Sequence, residues 1–435
     1  MHREAYTYLY PFCRLSKCTW MNISFQLFAH FLNLACFRLF ITNVSNAKHM
    51  HIADLPAQRN DMERRKFLTQ TALASAGIAL GAGLPHTFAS NLMKNSKQQQ
   101  TDHKVRFRPA QKAGFGGVAL GNGFQENTDI ACLQAMEAAW QAGIRYFDTS
   151  PWYGLGISER RMGLFLKDKA HEDYTLSTKV GRILEPHENF KAEGLLWKGK
   201  MNFSYRYDYS AAGVRKSVED SLQRLGLSSL DIVFIHDLSP DNGDMKENWI
   251  SYFEKAKKGA MPELTKMREE GLIKGWGLGV NTIEPILKTL EVADPDIFLS
   301  ACQYSLIEHE AILREAFPKV AERGLSIVSG APLCAGFLAG KDRYLYSGKF
   351  PAGVKEKLAA LQRVATDHAV DLRTAALQFA AAPAVVSAVI PGAHTVQQAT
   401  ENAASFQAEI PDAFWQELKA TKLIAAEAPV PQPIA

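Results

Sequence analysis

From about Val105 onward the chain alternates between short β-branched or apolar runs and longer stretches whose apolar residues recur every three or four positions. The first kind predicts strands at Gly116–Leu120, Arg145–Asp148, Tyr174–Thr178, Ile232–His236, Gly275–Val280, Ile297–Gln303, Ser326–Ser329 and Val386–Ile390. The second kind predicts helices at Thr128–Ala142, Ser158–Leu166, Ala211–Leu225, Met261–Glu270, Ile283–Val292, His309–Arg323 and Val354–His368. Two more are expected at Thr395–Ala404 and Asp412–Leu423. The row Val214, Val218, Leu222, Leu225 shows the helical spacing, and Gly143, Gly226, Gly271 and Gly324 stand where helices stop. Strands that alternate with helices form a parallel sheet covered by helices, an α/β fold. About eight such units favour a closed (β/α)8 TIM barrel over an open sheet. Long connections are expected at 182–209 and 239–258, both leaving the C-terminal ends of strands, where such barrels carry their substrate loops.

Upstream of this region the pattern changes. Residues 62–89 open with Arg64-Arg65-Lys66-Phe67-Leu68 and continue into an Ala/Gly-rich apolar run from Ala72 to Leu84. Thr87 and Ala89 then supply the small residues of a cleavage site. The paired arginines resemble a twin-arginine export signal, which implies the Tat translocon as a partner and a periplasmic location in a bacterium. The apolar run is too short and Gly-rich for stable membrane insertion. Residues 1–61 precede this signal and hold an aromatic stretch, Phe25–Ile41, broken by His30 and Arg38. The native start is expected at Met62, or else Met50, with the upstream extension not natively made. Residues 90–104 are polar and Gln-rich and read as a linker, 105–425 as the barrel, and 426–435 as a C-terminal tail.

Composition narrows the function classes. With 47% apolar and 22% charged residues and a net charge of +4, the chain gives no sign of a nucleic-acid surface. Cys132, Cys302 and Cys334 are far apart and read as buried core thiols, and no residues stand at metal-ligand spacing. Gly114, Gly116 and Gly117 do not complete a dinucleotide-binding glycine pattern, and are expected to make a tight turn at the first strand.

Four polar residues fall at C-terminal strand ends or just after them: Asp148 in RYFDTS, Tyr153 in SPWYGLG, Lys179 in LSTK and His236 in DIVFIHD. Singly, each has a bland reading as a cap, a solvated charge or a core residue. Together they occupy the rim of three consecutive strands. The run Phe147–Gly154, with Ser158, Glu159 and Gly163, resembles the aldo/keto reductase motif, and the Lys179 and His236 segments match that family. The resemblance spans about 106–425. HDL, GWGLGVN, CQYSLIEHE and GAPLCAGFLAG are similar to the D-threo-aldose (L-fucose) 1-dehydrogenase and L-galactose dehydrogenase group.

The resemblance implies hydride transfer between a nicotinamide cofactor and a sugar or small carbonyl compound. Tyr153 would exchange the proton, its phenol made more acidic by Lys179. Asp148 would orient the lysine, and His236 would bind the substrate oxygen, with Trp152 beside the substrate. It also implies that Asn281 and Gln303 hold the carboxamide and that backbone at Ala331, Leu333 and Ala335 faces the pyrophosphate. Gly392, His394, Thr395, Gln398, Glu401 and Asn402 would hold the adenosine end. Val280 and the Ser329-Gly330-Ala331 segment depart from the family, which often has a serine at the first and an aromatic stacking residue in the second. Relatives that prefer NADP carry cations where this chain has Gly392 and Gln398, leaving His394 as the only basic residue there, so NAD is favoured over NADP. An NADPH-dependent general aldehyde or ketone reductase, and a catalytically idle barrel acting as a binding subunit, stay open as alternatives.

Overall fold

The computed structural model describes residues 106–431. The upstream extension 1–61, the export signal 62–89 and the linker 90–104 lie outside the described residues. Eight parallel strands form one sheet in the order β1 (Phe115–Gly116), β2 (Tyr146–Asp148), β3 (Thr175–Val180), β6 (Leu230–His236), β7 (Ile273–Val280), β8 (Ile297–Ala301), β9 (Ser326–Gly330), β10 (Val386–Ile390). The sheet closes on itself. Gly114 N donates to Val389 O at 2.9 Å, Val389 N to Lys112 O at 2.7 Å, and Gly116 N to Pro391 O at 3.0 Å. Helices connect the parallel strands, so the fold is an α/β TIM barrel.

Strand parity decides what points where. Along β6, Ile232, Phe234 and His236 face the barrel interior, while Val233 and Ile235 face the helices. Tyr146 on β2 shares the inner face with Ile232 and Phe234, so Asp148, two residues on, lies above it on that face. The inner positions of β7 are glycines. A Cβ on Gly279 would stand 3.3 Å from Phe234 Cβ and in ordinary contact with the Lys179 arm, so the lysine runs along this bare backbone. The interior is thus packed with aliphatic and aromatic side chains below and opens onto polar ones above.

The chain turns at Gly117, as expected, but the glycines at the seam also do something more. β1 is short, and Ala119–Gly121 forms a 3-10 turn where the pattern predicted strand. A Cβ on Gly116 would stand 2.7 Å from Ile390 O, and one on Gly117 would stand 2.6 Å from Asp148 O. These residues allow close approach of neighbouring backbones; neither has the positive φ of a left-handed turn.

Both long connections contain structure. The first folds into an antiparallel hairpin, β4 (Arg182–Phe190) with β5 (Met201–Tyr207). The second contains the helix Trp249–Lys258. The helix Leu372–Ala381 escaped the sequence reading altogether. It is buried all round from Thr374 to Ala381, so its apolar residues show no one-sided period, and Asp371 caps it through Thr374 N at 3.0 Å. Among the described residues no helix is long and apolar enough to cross a membrane.

Candidate active site

A cavity of about 670 Å³ opens at the C-terminal rim of the strands. Trp152, Tyr153, Lys179, His236, Asn281 and Gln303 line it. Asp148 lies directly beneath, so the four residues singled out at the rim of β2, β3 and β6 meet in one place.

Asp148 and Lys179 are each 1% exposed. Lys179 Nζ donates to Asp148 Oδ1 at 2.9 Å, to Asp148 Oδ2 at 2.7 Å and to Thr149 O at 2.8 Å. An ammonium has three hydrogens, and these three contacts use them all. Ser177 Oγ adds a third bond to the carboxylate, at 2.7 Å. Burial pushes the Asp148 carboxyl up and the Lys179 ammonium down, each toward neutrality, while their mutual contact opposes both shifts.

Tyr153 sits on the turn after β2 with its ring 5.8 Å from the imidazole of His236. Lys179 Nζ lies over the ring face, 4.6 Å from its centroid. The expected acidification of the phenol by Lys179 is not what this geometry gives. Burial and the negative charge of Asp148 push the Tyr153 phenol well above its usual range. The physical reason is that Lys179 spends its hydrogens on Asp148 and Thr149 and faces Tyr153 as half of a neutral pair. Tyr153 is therefore a protonated phenol at neutral pH, suited to giving a proton.

His236 ends β6. Burial, together with the charges of Lys179 and Arg182, pulls its pKa well below the usual imidazole value, so the ring is neutral. Its tautomer follows from a neighbour. Trp152 N donates to Ser150 Oγ at 3.1 Å, and Ser150 Oγ lies 3.2 Å from His236 Nδ1. Ser150 Oγ can give its hydrogen to Nδ1 while it accepts from Trp152 N, and the Asp237 carboxylate 3.5 Å from Nε2, an acceptor only, favours the ring proton on that nitrogen, facing the cavity. Ser150 was not singled out in the sequence, where it is one more small residue in DTSPW.

Trp152 stands at the cavity edge, 4.7 Å from the ring of Tyr205 on the hairpin and 5.5 Å from Trp197, both edge-on. The guanidinium of Arg182 packs against Trp152 at 4.3 Å, donates to Tyr207 Oη at 2.8 Å and pairs with Asp237 at 2.8 Å. Arg182, Asp237 and Trp197 carry no signal in the sequence, because their roles depend on the hairpin, which the sequence shows only as a long connection after the third strand. Cys302 was expected in the core, yet it lines the cavity at φ 67°; Cys132 and Cys334 are buried as expected.

The residues assigned to a nicotinamide cofactor run along the rim from β7 to β10. Gln303 Nε2 donates to Asn281 O at 2.6 Å, and Asn281 Nδ2 donates to Asp241 Oδ2 at 2.9 Å. Ala331, Cys334 and Ala335 have φ of 52°, 50° and 60°. Non-glycine residues held there are strained, a backbone state that clusters at ligand sites, and Cys334 N and Gly336 N close the turn on Ala331 O and Leu333 O, each at 2.9 Å. At the adenosine end Thr395 caps the helix Val396–Ser405 by accepting from Gln398 N at 3.1 Å, and Gln398 Oε1 accepts from His394 N at 3.1 Å. Asn402 Nδ2 donates to Gly392 O at 3.3 Å, and Glu401 is held by Arg373. Side-chain amides, a strained turn and a capped helix N-terminus thus follow one another along the rim from β7 to β10.

His394 is not the only basic group at this end. Burial lowers its pKa, as do the neighbouring charges of Lys341 and Arg343, which come from the loop after β9. Both lie just past the GAPLCAGFLAG segment, outside the stretch the sequence reading searched. Arg343 Nε donates to Ala335 O at 2.8 Å, and a Cβ on Gly336 would meet Lys341 Cγ at 2.9 Å. These cations therefore stand at the strained turn.

Comparison with known proteins agrees with this layout. The chain matches the model of the Aldo/keto reductase family over residues 112–422. It is 34% identical over 320 residues to a D-threo-aldose 1-dehydrogenase of a Pseudomonas species, covering 72% of this chain and 94% of that protein. It is 33% identical over 329 residues to a pyridoxal 4-dehydrogenase of Microbacterium luteolum, again covering 72% and 94%. The holo form of an aldo-keto reductase from Bacillus halodurans shares the fold, with a TM-score of 0.53 at 24% identity over 76% of this chain and 98% of that one. A closed eight-stranded barrel, a rim that gathers Asp148, Tyr153, Lys179 and His236, and a family match across nearly the whole barrel lead to one assignment: the chain belongs to the aldo/keto reductase family and is an NAD(P)-dependent oxidoreductase.

Proposed function

We propose that the enzyme is an aldose 1-dehydrogenase in which Tyr153 exchanges the substrate proton, His236 Nε2–H binds the reacting oxygen, and Lys179 and Asp148 hold the tyrosine and its field in place. The observation that carries the reading is the meeting of a protonated phenol and a neutral Nε2–H imidazole at the mouth of one cavity. Both can donate to a single oxygen, and two donors on that oxygen polarise a carbonyl or steady an alkoxide. The cofactor, when bound, supplies or accepts the hydride. Asn281, Gln303, the Ala331–Ala335 turn and the loop from Gly392 to Asn402 are the residues placed to hold it. Trp152 and Trp197 give the substrate cavity an aromatic wall, and Asp237, Asp241 and Asn242 give it hydroxyl acceptors. That combination suits a neutral polyhydroxy compound, and the similarity to a D-threo-aldose 1-dehydrogenase supports it.

NAD is the proposed cofactor. Lys341 and Arg343 touch the Ala335–Gly336 turn, beside the stretch assigned to the pyrophosphate, which NAD and NADP share, and their charges also reach His394. Gly392 and Gln398 still offer no cation for a 2′-phosphate. Titration of the purified protein with each oxidised cofactor, followed by NADH formation on adding L-fucose, tests both parts. Tighter binding of NAD and turnover of L-fucose are expected. Tenfold tighter binding of NADP overturns the cofactor assignment, and a lack of turnover with L-fucose overturns the substrate.

The export reading rests on 62–89. Arg64-Arg65, the Ala/Gly-rich run and the small residues near Ala89 support a bacterial protein that the Tat translocon carries to the periplasm after folding. Folding first allows the cofactor to travel bound.

A further inference from the structure

The residue after His236 is held in an unusual way. Asp237 has φ 47°, a left-handed conformation that costs a non-glycine residue free energy and persists only where its surroundings fix it. Here they do. Asp237 N donates to Gly279 O at 2.9 Å, Asn242 Nδ2 donates to Asp237 O at 2.9 Å, and Arg182 Nη1 donates to Asp237 Oδ2 at 2.8 Å. Arg182 is itself 5% exposed and stacked on Trp152. The other carboxylate oxygen, Oδ1, lies 3.5 Å from His236 Nε2, and Asp237 lines the cavity. The result is a donor and an acceptor side by side at the cavity mouth, Nε2–H and Oδ1, with the acceptor's orientation set from behind by an arginine.

We infer that Asp237 reads the carbon next to the one that reacts, and that the enzyme selects substrates with a hydroxyl there: 2-hydroxy aldehydes, or in the cyclic form of an aldose the hydroxyl beside the anomeric carbon. This rests on the reading of His236 as the group that binds the reacting oxygen. Two oxygens on adjacent carbons, held gauche, are spaced slightly closer than Nε2 and Oδ1, so each reaches its partner at ordinary hydrogen-bond length. The reacting oxygen accepts from Nε2–H, and the neighbouring hydroxyl donates to Oδ1. The carboxylate can only accept. A neighbouring carbonyl, ether, carboxylate or phosphate leaves it facing another acceptor, and a neighbouring methylene leaves it unpaired in a partly desolvated site. Asp237 is thus a specificity determinant that also discriminates against an acidic or phosphorylated group on that neighbouring carbon.

The test compares two pairs of substrates that differ only in this hydroxyl: L-fucose with 2-deoxy-L-fucose in oxidation, and lactaldehyde with propanal in reduction. A hydrogen bond to a charged group predicts roughly a ten- to hundredfold preference in kcat/KM for the hydroxylated member of each pair. Asp237→Asn is the informative variant, because asparagine tolerates the left-handed backbone. Arg182 has only donors, so it holds the amide oxygen and leaves the NH2 group facing the cavity, a donor where an acceptor stood. The preference should then fall toward one in both pairs. A purely structural role for Asp237 lowers both members alike and leaves the ratio intact, and that result overturns the inference. So does a wild-type enzyme with no preference in either pair. If L-fucose is not turned over but lactaldehyde is still preferred to propanal and loses that preference in the variant, the aldose reading fails and the role of Asp237 stands.

Discussion

At the scale of single residues, two side chains matter because of which of their hydrogens are already in use. Lys179 has none left for Tyr153, so the phenol stays protonated, and the pH profile should show it. With a pKa well above the usual phenol value, carbonyl reduction needs the protonated form and should be flat through neutral pH, falling only in strong alkali. Oxidation needs the phenolate and should climb with pH over the same interval. A reduction rate that falls near neutrality would show that Lys179 does acidify the phenol. Ser150 is the second case. Ser150→Ala removes the hydrogen that Nδ1 of His236 accepts, so the proton is free to move from Nε2 to Nδ1. A loss of about tenfold in kcat/KM is expected, the worth of one hydrogen bond of ordinary strength. Unchanged kinetics in this variant would mean that something other than Ser150 sets the tautomer.

At the scale of elements, closure depends on glycine. Gly116 lets β1 lie against the end of β10, and a methyl group there would meet Ile390 O at 2.7 Å. Gly116→Ala should destabilise the barrel by about 1–3 kcal/mol, the usual cost of forcing extra volume into packed structure, seen as a lower midpoint in urea with the same slope. A midpoint equal to wild type would show that the seam yields. How far the sequence could be read follows the same physics. Strands buried on both faces, such as Val386–Ile390, are largely apolar runs, broken here only by the half-buried Ser387, and stand out. The hairpin was invisible because much of β4, from Glu185 to Asn189, is exposed and polar, and its partner strand is fixed by tertiary packing on Trp152 and Arg182. The rim residues were legible through their places at strand ends, whereas Arg182 reaches the site from the hairpin and Lys341 and Arg343 from the loop after β9, whose paths no local pattern reveals.

At the scale of the whole molecule, a barrel whose last strand must pair with its first cannot hold a dinucleotide half-threaded, so an enzyme exported with its cofactor bound has to fold before it crosses a membrane. The changes Arg64→Lys and Arg65→Lys should together trap the protein in the cytoplasm with 62–89 attached. The wild type should be periplasmic and begin near Ser90, as cell fractionation and mass spectrometry of the N-terminus would show. Wild-type protein found in the cytoplasm with 62–89 retained would remove the export reading and leave the barrel as it is. The most direct test of the enzyme itself is Tyr153→Phe, assayed for cofactor binding by titration and for turnover by nicotinamide absorbance with L-fucose and lactaldehyde. Loss of the one hydroxyl should leave the cofactor dissociation constant unchanged and cut kcat by about 10²–10⁴-fold, the range of a general acid–base group. A variant that keeps half the wild-type rate would contradict the assignment of Tyr153 as the group that moves the proton.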